Sequence, residues 1–179
     1  ILDLSQRSGI MIASYGDLLR VPGSTQGDSL LARRALGGKI ESVYSPIDAV
    51  EIAGKHPETE VIFLGVGFET TAPGTAACIL EAASRGLKNF SVLCLLKRTE
   101  PAVRSLIESD DFAVNGFLCP GHVAAVIGAD GFAFLPEDYG LPGVVSGFEP
   151  ADLLCSVLEL TEMIARKQPA LKNEYTRLV

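Results

Sequence analysis

Two short segments of this sequence place a glutamate after glycine and phenylalanine in similar surroundings. Gly67-Phe68-Glu69-Thr70-Thr71 and Gly147-Phe148-Glu149-Pro150 each follow a strand-like run and precede an amphipathic helical pattern. In open α/β sheets, ligands bind beyond the carboxyl ends of the strands, where helix N-termini point outward. We therefore expect Glu69, Thr70 and Thr71 to present a carboxylate and two hydroxyl groups to a cleft. The alternative is that these groups only cap the following helix.

A second candidate group is Cys119-Pro120-Gly121-His122, which follows a strand-like run and begins a short helical segment. Thiolate and imidazole both bind metals, so Cys119 and His122 could supply half of a metal site, whereas a full site needs further ligands. Alternatively, His122 is a half-buried imidazole whose partners are backbone groups. The other histidine, His56, precedes Pro57 and is expected to be a solvated cap at the end of a helix.

A third candidate is the loop Tyr15-Gly16-Asp17-Leu18-Leu19-Arg20-Val21-Pro22-Gly23, which combines an acid and a base between glycine and proline residues. Arg20 could bind a carboxylate or another anion through two parallel hydrogen bonds. Alternatively, Asp17 and Arg20 pair with each other. Both interpretations stay open from the sequence.

The segment Gly65-Val66-Gly67-Phe68-Glu69-Thr70 also resembles an incomplete dinucleotide-binding fingerprint. Thr70 replaces the third glycine, and the next strand ends in Lys97-Arg98, where an NAD site would have an acid. Two bases would suit the 2′-phosphate of NADP. A carboxylate at Glu69 would repel a pyrophosphate, so an NADP-dependent oxidoreductase is the alternative rather than the first hypothesis.

The elements that must position these residues alternate between strands and helices. Strand-like runs rich in apolar residues cover 9–13, 40–44, 60–66, 90–96, 114–118 and 143–146. Helical patterns cover 28–36, 46–56, 72–86, 99–109, 121–127 and 149–166. This alternation predicts an α/β fold of βαβ units with parallel sheets and flanking helices.

We expect two similar lobes around a cleft, with residues 1–57 in the first α/β lobe, 58–147 in the second, and 148–179 as a return helix and C-terminal extension. Two helices have an apolar stripe with its residues at helical spacing. In the helix at 72–86 the stripe comprises Ala72, Ala76, Ile79, Leu80, Ala83 and Leu87. In the helix at 149–166 it comprises Leu153, Val157, Leu160 and Ile164.

Composition restricts the classes of function. The 179 residues carry a net charge of −7, which argues against a nucleic-acid surface because such a surface is normally basic. No apolar run reaches the roughly 18 residues of a membrane span, and the first residues do not form a secretory signal. The four cysteines form no C-x-x-C pair, and Cys78, Cys94 and Cys155 fall on apolar faces, so we expect free thiols and a cytoplasmic location.

Six ordered phrases of the sequence form one recognisable set: residues 15–23, Val43-Tyr44-Ser45-Pro46-Ile47-Asp48-Ala49, 65–73, Gly116-Phe117-Leu118-Cys119-Pro120-Gly121-His122-Val123, Gly147-Phe148-Glu149-Pro150-Ala151-Asp152-Leu153-Leu154 and Asn173-Glu174-Tyr175-Thr176-Arg177. Together they resemble one family, the hydrogenase maturation factor HypD. The resemblance implies a scaffold for assembling the Fe(CN)2CO unit of [NiFe]-hydrogenases, rather than a stand-alone enzyme. It also implies a HypC-like chaperone and a HypE-like cyanide donor as partners, and a [4Fe-4S] cluster in the full-length protein.

The resemblance implies roles for the candidate residues as well. Its cleft-lining motifs match residues 67–73 and 120–123. The residues expected to orient the ligands of iron or to move protons are Glu69, Thr70, Thr71 and His122. Those expected to contact the bound group are Gly67, Phe68, Pro120, Gly121, Asp17 and Arg20. Glu149 and Asp152 are expected mainly to stabilise the return helix.

The family's metal-binding cysteine motifs, Cys-Gly-x-His, Cys-Pro-x-Cys and a terminal cluster, are absent from this sequence. We therefore expect the central portion of a longer protein that binds neither iron nor the cluster by itself. Besides the NADP-dependent oxidoreductase, a purely structural interaction domain is the remaining alternative.

Overall fold

The computed structural model describes all residues from Ile1 to Val179, which form two compact units. The first unit is Ile1–Lys97 and the second is Arg98–Val179. The strands and helices of the first unit, in chain order, are β1 Ile10–Tyr15, α1 Leu30–Ala35, β2 Ile40–Val43, α2 Pro46–Lys55, β3 Glu60–Gly67, α3 Ala72–Ser84 and β4 Phe90–Leu96. Those of the second unit are α4 Thr99–Ile107, β5 Phe117–Pro120, α5 Gly121–Ile127, α6 Phe134–Tyr139, β6 Gly143–Ser146, α7 Pro150–Arg166 and β7 Leu171–Asn173. Short 3-10 turns cover Leu4–Gln6, Leu18–Arg20 and Ala129–Phe132.

The sheet of the first unit is parallel and has the strand order β2-β1-β3-β4. Strand β1 pairs on one side with β2, where Ile12 lies opposite Ile40, and on the other with β3, where Ile12 lies opposite Ile62. The chain moves to one side of β1 and then crosses to the other. This reversal creates a topological switch point at the carboxyl ends of β1 and β3, the position where open α/β sheets bind ligands.

Helix α2 begins at the capping box that its sequence predicts. The Asp48 carboxylate accepts hydrogen bonds from the backbone N–H groups of Tyr44 and Ser45 at 3.1 and 2.9 Å, and the Ser45 hydroxyl accepts from the N–H of Ile47. Pro46 occupies the first helical turn, where a missing N–H is tolerated. The helix ends at His56, which is exposed at the C-cap as predicted.

Helix α3 does not bury the apolar stripe predicted for it. Its buried residues are Thr75, Cys78 and Ala82, whereas Ile79 and Leu80 are exposed, Leu80 to 71%. The small side chains of the buried face allow α3 to lie close to the sheet and to α2. The helix therefore packs on the rest of the first unit through small side chains.

The second unit contains a three-stranded parallel sheet in the order β5-β6-β7. All four residues of the central strand β6 are buried. Strand β5 begins at Phe117, three residues later than predicted. The sequence analysis also missed α6, which contains Pro136, and β7, which has three residues and owes its extended form to pairing with β6.

Helix α7 begins and ends close to its predicted limits but exposes most of its predicted apolar stripe. Leu153, Val157 and Ile164 are 39%, 45% and 38% exposed. The residues that α7 buries within the second unit are Ser156 and Met163. The helix packs against β5 and β6, while these three apolar residues stay exposed in this chain.

The observed α/β class with parallel sheets and flanking helices confirms the predicted fold class. The predicted limits 1–57, 58–147 and 148–179 differ from the observed division after Lys97. A boundary at residue 57 would separate β1 from β3, which pair directly, and a boundary at 147 would separate β6 from β7. None of the helices is both long and apolar enough to cross a bilayer.

Candidate functional site

The segment after β3 forms a tight corner at the switch point of the first unit. Gly67 has a φ angle of +144°, which side-chain-bearing residues rarely adopt. A Cβ at this position would lie 2.7 Å from the Cβ of Thr71, so only glycine allows Thr71 to fold back over the corner. Thr71 precedes helix α3 but makes no capping hydrogen bond through its side chain. Thr71 therefore occupies the N-cap position without the side-chain hydrogen bond that the capping interpretation expects.

The side chains of this corner differ in exposure. Phe68 and Thr70 are exposed, whereas Glu69 and Thr71 are half-buried. The strand order places this corner beside the loop that follows β1, because β1 and β3 are neighbours. The corner therefore combines a carboxylate, two hydroxyls and an aromatic ring at the switch point, but their roles in binding or proton transfer stay predictions.

The loop after β1 resolves one of the alternatives for Asp17 and Arg20. The Asp17 carboxylate accepts a hydrogen bond from the backbone N–H of Leu18 at 2.9 Å and caps the 3-10 turn Leu18–Arg20. It forms no ion pair with Arg20, whose side chain is exposed. Leu19 is buried and fixes the turn to the core. Arg20 is therefore available to an anion at the same edge of the sheet as Glu69.

A cavity of about 570 Å³ lies behind this loop. Apolar side chains dominate its wall, including Leu18, Leu64 and Val66, and the ion pair of Asp28 with Arg33 supplies the charged part. Hydrogen bonds from Arg33 lower the pKa of Asp28. Glu69, Thr70 and Thr71 do not line this cavity. The cavity is thus separate from the corner on which the predicted roles depend.

In the second unit, Pro120, Gly121 and His122 lie where β5 ends and α5 begins. Gly121 is buried, and His122 is exposed. The His122 imidazole packs against the ring of Phe148, with 5.1 Å between the ring centroids and an angle of 41° between the planes. Phe148 follows the neighbouring strand β6 and belongs to the second Gly-Phe-Glu segment. The two motifs therefore meet at the carboxyl edge of this sheet.

Cys119 is placed poorly for binding a metal. Its side chain lies in the core of the second unit with 3% exposure. Burial raises the pKa of the Cys119 thiol to about 12, so the thiolate that binds metals is scarce at neutral pH. The remaining cysteines do not assist it, because Cys78 is buried in the first unit while Cys94 and Cys155 are exposed. Of the three cysteines that the sequence places on apolar faces, only Cys78 is buried.

The residues of this chain do not form a ligand set for a metal ion or an iron–sulfur cluster. No three side chains among its histidines, cysteines, aspartates and glutamates converge on one point. A [4Fe-4S] cluster requires four cysteine thiolates around one centre, and the four cysteines here are divided between buried and exposed positions. The cluster implied by the resemblance does not fit the residues present.

Glu149 and Asp152 occupy the start of α7, as predicted, and both interact with Arg177. The Arg177 guanidinium donates two hydrogen bonds to Asp152 and lies 3.4 Å from a carboxylate oxygen of Glu149. Hydrogen bonding by Arg177 lowers the pKa of Asp152. These contacts give both acids a structural role in attaching the C-terminal segment to α7.

Tyr175 and Arg177 are functional candidates that the sequence analysis did not single out. Tyr175 lies next to Gly121 and Gly147, and Arg177 stacks on the Tyr175 ring at 4.6 Å from the centroid. The only signal for these two residues in the sequence is the phrase Asn173-Glu174-Tyr175-Thr176-Arg177. The phrase belongs to the family resemblance, which implies no role for either residue. The contacts arise from β7, whose existence was not predicted.

Glu69 and His122 lie in different units, each at the carboxyl edge of its own parallel sheet. Within the first unit, the fold brings the corner after β3 beside the loop after β1. Within the second, it brings His122, Phe148 and Tyr175 together. The shared cleft expected between Glu69 and His122 stays a prediction.

Comparison with known proteins identifies the family. The family described as HypD, Hydrogenase formation hypA family, matches residues 1–179. The chain belongs to the HypD family. The family resemblance inferred from the ordered motifs is therefore confirmed.

Curated relatives agree with this assignment. The hydrogenase maturation factor HypD of Rhodobacter capsulatus is 44% identical over 178 residues, which are 99% of this chain and 47% of the relative. The proteins of the same name from Azotobacter vinelandii and Escherichia coli strain K12 are each 40% identical, over 99% of this chain and 48% and 47% of their own lengths. The chain thus spans about half the length of the curated HypD relatives it matches.

The comparisons do not favour the NADP-dependent alternative, and the structure gives a physical reason. Gly65 lies inside β3, where a Cβ would meet side-chain atoms of Val92 and Thr75 at 3.1 and 3.3 Å. This glycine therefore serves the packing of α3 on the sheet instead of a phosphate-binding loop. Arg98, expected to help bind a 2′-phosphate, is paired with Glu100 at 2.9 Å.

Proposed function

We propose that this chain acts as the central part of a HypD-type maturation factor and takes part in assembling the Fe(CN)2CO unit of [NiFe]-hydrogenases. The observation that carries the proposal is the family match over residues 1–179, together with relatives named hydrogenase maturation factor. Assembly of such a unit requires a site that holds the iron while its ligands are added and then passes the finished unit on. Iron is therefore a substrate of this scaffold, not a resident cofactor of the chain.

Soft thiolate ligands suit such an iron centre, and Cys78 and Cys119 are too deeply buried to supply them. Thiolates from outside residues 1–179 would hold the iron. The contribution of this chain is then to surround the unit with groups that orient its diatomic ligands and move protons. Glu69, Thr70 and Thr71 are suited to this role because they lie at the switch point of the first unit.

His122 is the corresponding group of the second unit. Its imidazole can donate and accept hydrogen bonds, which both proton transfer and the orientation of cyanide require. The exposed Arg20 adds a cation beside the corner of Glu69, and cyanide ligands carry negative charge. Gly67, Phe68, Pro120, Gly121 and Asp17 would form the surrounding surface.

The proposed partners follow from the family: a HypC-like chaperone that delivers or accepts the iron unit, and a HypE-like protein that donates cyanide. We assign the process to the cytoplasm, where free thiols such as Cys94 and Cys155 stay reduced.

Capture of a HypC-like protein by the purified chain, lost on Glu69→Ala and His122→Ala, would support a shared binding and assembly surface. Capture that survives both substitutions would instead indicate a purely structural interaction domain.

The function can be tested with a chimera of full-length Escherichia coli HypD in which the matching segment is replaced by residues 1–179 of this chain. Expression in a strain without its own HypD should restore [NiFe]-hydrogenase activity. A chimera with the matching segment of the Rhodobacter capsulatus protein controls for the exchange itself. If only that control restores activity while both chimeras accumulate equally, the proposed function is wrong.

A further inference from the structure

The ring of Tyr175 fills the space between two glycines at the carboxyl edge of the second sheet. A Cβ on Gly121 would lie 2.9 Å from Cε1 of Tyr175 and would also collide with Cδ1, while a Cβ on Gly147 would lie 2.8 Å from Cδ2. One edge of the ring therefore faces the start of α5, and the other faces the corner that leads to α7. A Cβ on Gly121 would also meet the carbonyl oxygen of Ser146 at 2.6 Å, and one on Gly147 would meet the Asp152 carboxylate. The ring is therefore one of the groups that enclose each glycine.

Each of these glycines immediately precedes a residue of the aromatic pair described above. Gly121 precedes His122, and Gly147 precedes Phe148. Both aromatic side chains are exposed, Phe148 to 64%, so core packing does little to fix their orientation. Their relative placement depends instead on the two backbone corners. Pairing of Pro120 with Ser146 already holds the two corners side by side, and the Tyr175 ring, which lies against both, fixes how they are oriented.

Tyr175 is itself held from several directions. Its backbone N–H donates to Oδ1 of Asn173 at 2.8 Å, and the Asn173 side chain donates to the carbonyl of Val179 at 2.9 Å. Arg177 covers the Tyr175 ring and is bound to Asp152 on α7. Strand β7 pairs with β6 just before this segment. The ring is therefore a fixed spacer rather than a mobile side chain.

We infer that Tyr175 is a positioning residue that sets the geometry of His122 and Phe148 through Gly121 and Gly147. The inference rests on the proposed function for the task that His122 performs. The ring, not the hydroxyl, does the positioning, because the contacts to both glycines come from ring carbons. The substitution Tyr175→Phe should therefore preserve the positions of His122 and Phe148. Tyr175→Leu should not, because leucine lacks the second edge of the ring.

Nuclear magnetic resonance of the full 179-residue chain provides a test that is independent of maturation. The chain has two histidines, so His56 in the first unit is an internal control for His122. Tyr175→Leu should shift the ring resonances of His122, because its ring moves relative to Phe148, and leave those of His56 unchanged. Tyr175→Phe should leave both unchanged. Unchanged His122 resonances in a folded Tyr175→Leu chain would overturn the inference.

A measurement on the unsubstituted chain covers the case in which Tyr175→Leu fails to fold. Nuclear Overhauser contacts are expected from the Tyr175 ring to the α-protons of both Gly121 and Gly147. Contacts to only one glycine, or to neither, would contradict the spacer role. This experiment needs no substitution.

The chimera then tests the functional consequence. Tyr175→Phe should mature hydrogenase like the unchanged chimera, and Tyr175→Leu should lower the yield roughly 10- to 100-fold, as expected for residues that orient a metal's surroundings. Equal yields from both variants would overturn the inference. If the unchanged chimera is itself inactive, the proposed function fails, while the resonance experiment still decides whether Tyr175 positions His122.

Discussion

Arg177 binds the Asp152 carboxylate through two parallel hydrogen bonds, from Nη1 to Oδ1 at 2.8 Å and from Nη2 to Oδ2 at 2.5 Å. The Asp152 side chain is only 11% exposed in this arrangement. The pair connects the C-terminal segment to the first turn of α7 and holds Arg177 over Tyr175. One ion pair thereby links the end of the chain to the edge of the sheet where His122 lies.

The stabilising effect of this pair should depend on pH. Hydrogen bonds from Arg177 lower the pKa of Asp152 below its ordinary value of 3.8. A group with a lowered folded-state pKa stabilises the fold at pH values above its ordinary pKa, and this stabilisation is lost as pH falls through the lowered value. Arg177→Gln should therefore lower the urea midpoint of unfolding at pH 7, with a difference that begins to shrink near pH 3.8 and disappears once pH has fallen through the lowered pKa of Asp152.

The matched control is Arg166→Gln, because Arg166 also pairs with an acid of α7, Glu162, but in a more exposed setting. Exposed pairs within a helix contribute little, so this variant should unfold close to the unsubstituted chain. A pH-independent effect of Arg177→Gln would mean that lost packing on Tyr175, rather than the charge of Asp152, causes the change.

Gly67→Ala should destabilise the first unit strongly. The substitution combines an unfavourable φ of +144° with a collision against Thr71, and we expect a loss of more than about 3 kcal/mol in the free energy of unfolding. Gly86→Ala is the control, because Gly86 has a φ of +67° but no atoms near its missing Cβ. It should lose only about 1–2 kcal/mol. Denaturation followed by circular dichroism compares the two, and equal losses would contradict the tight corner.

The four thiols should fall into two classes of reactivity. Cys94 and Cys155 are exposed and should react quickly with Ellman's reagent in the folded chain, while Cys78 and Cys119 should react only after unfolding. Burial both blocks access and raises the pKa of the Cys78 and Cys119 thiols. Mass spectrometry identifies the labelled residues. Rapid labelling of Cys119 in the folded chain would contradict its place in the core.

Features that depend on neighbouring residues could be predicted from the sequence. The capping box of Ser45 and Asp48 is an example, because its hydrogen bonds join residues within one turn. The alternation of strands and helices likewise predicted the parallel sheets. The positions of Glu69 and Glu149 after β3 and β6 followed from the same pattern.

Features that depend on distant packing could not be predicted. Hydrophobic periodicity placed Ile79 and Leu80 in the apolar stripe of α3, but the chain exposes both and buries the smaller Cys78. Strand β7 has too few residues for a pattern of its own. The position of Tyr175 between two glycines depends on that strand, so no local signal indicated it.

The central claim is that Glu69, in the corner after β3, orients the ligands of the iron unit or moves protons there. The substitution Glu69→Gln in the Escherichia coli HypD chimera tests this claim most directly. The substitution keeps the size of the side chain but removes its charge and its capacity to exchange a proton. Glu58→Gln is the matched control, since Glu58 is an exposed glutamate of the same unit away from the corner. Hydrogenase activity should fall at least about tenfold with Glu69→Gln and stay unchanged with Glu58→Gln. Full activity of the Glu69→Gln chimera would contradict the account.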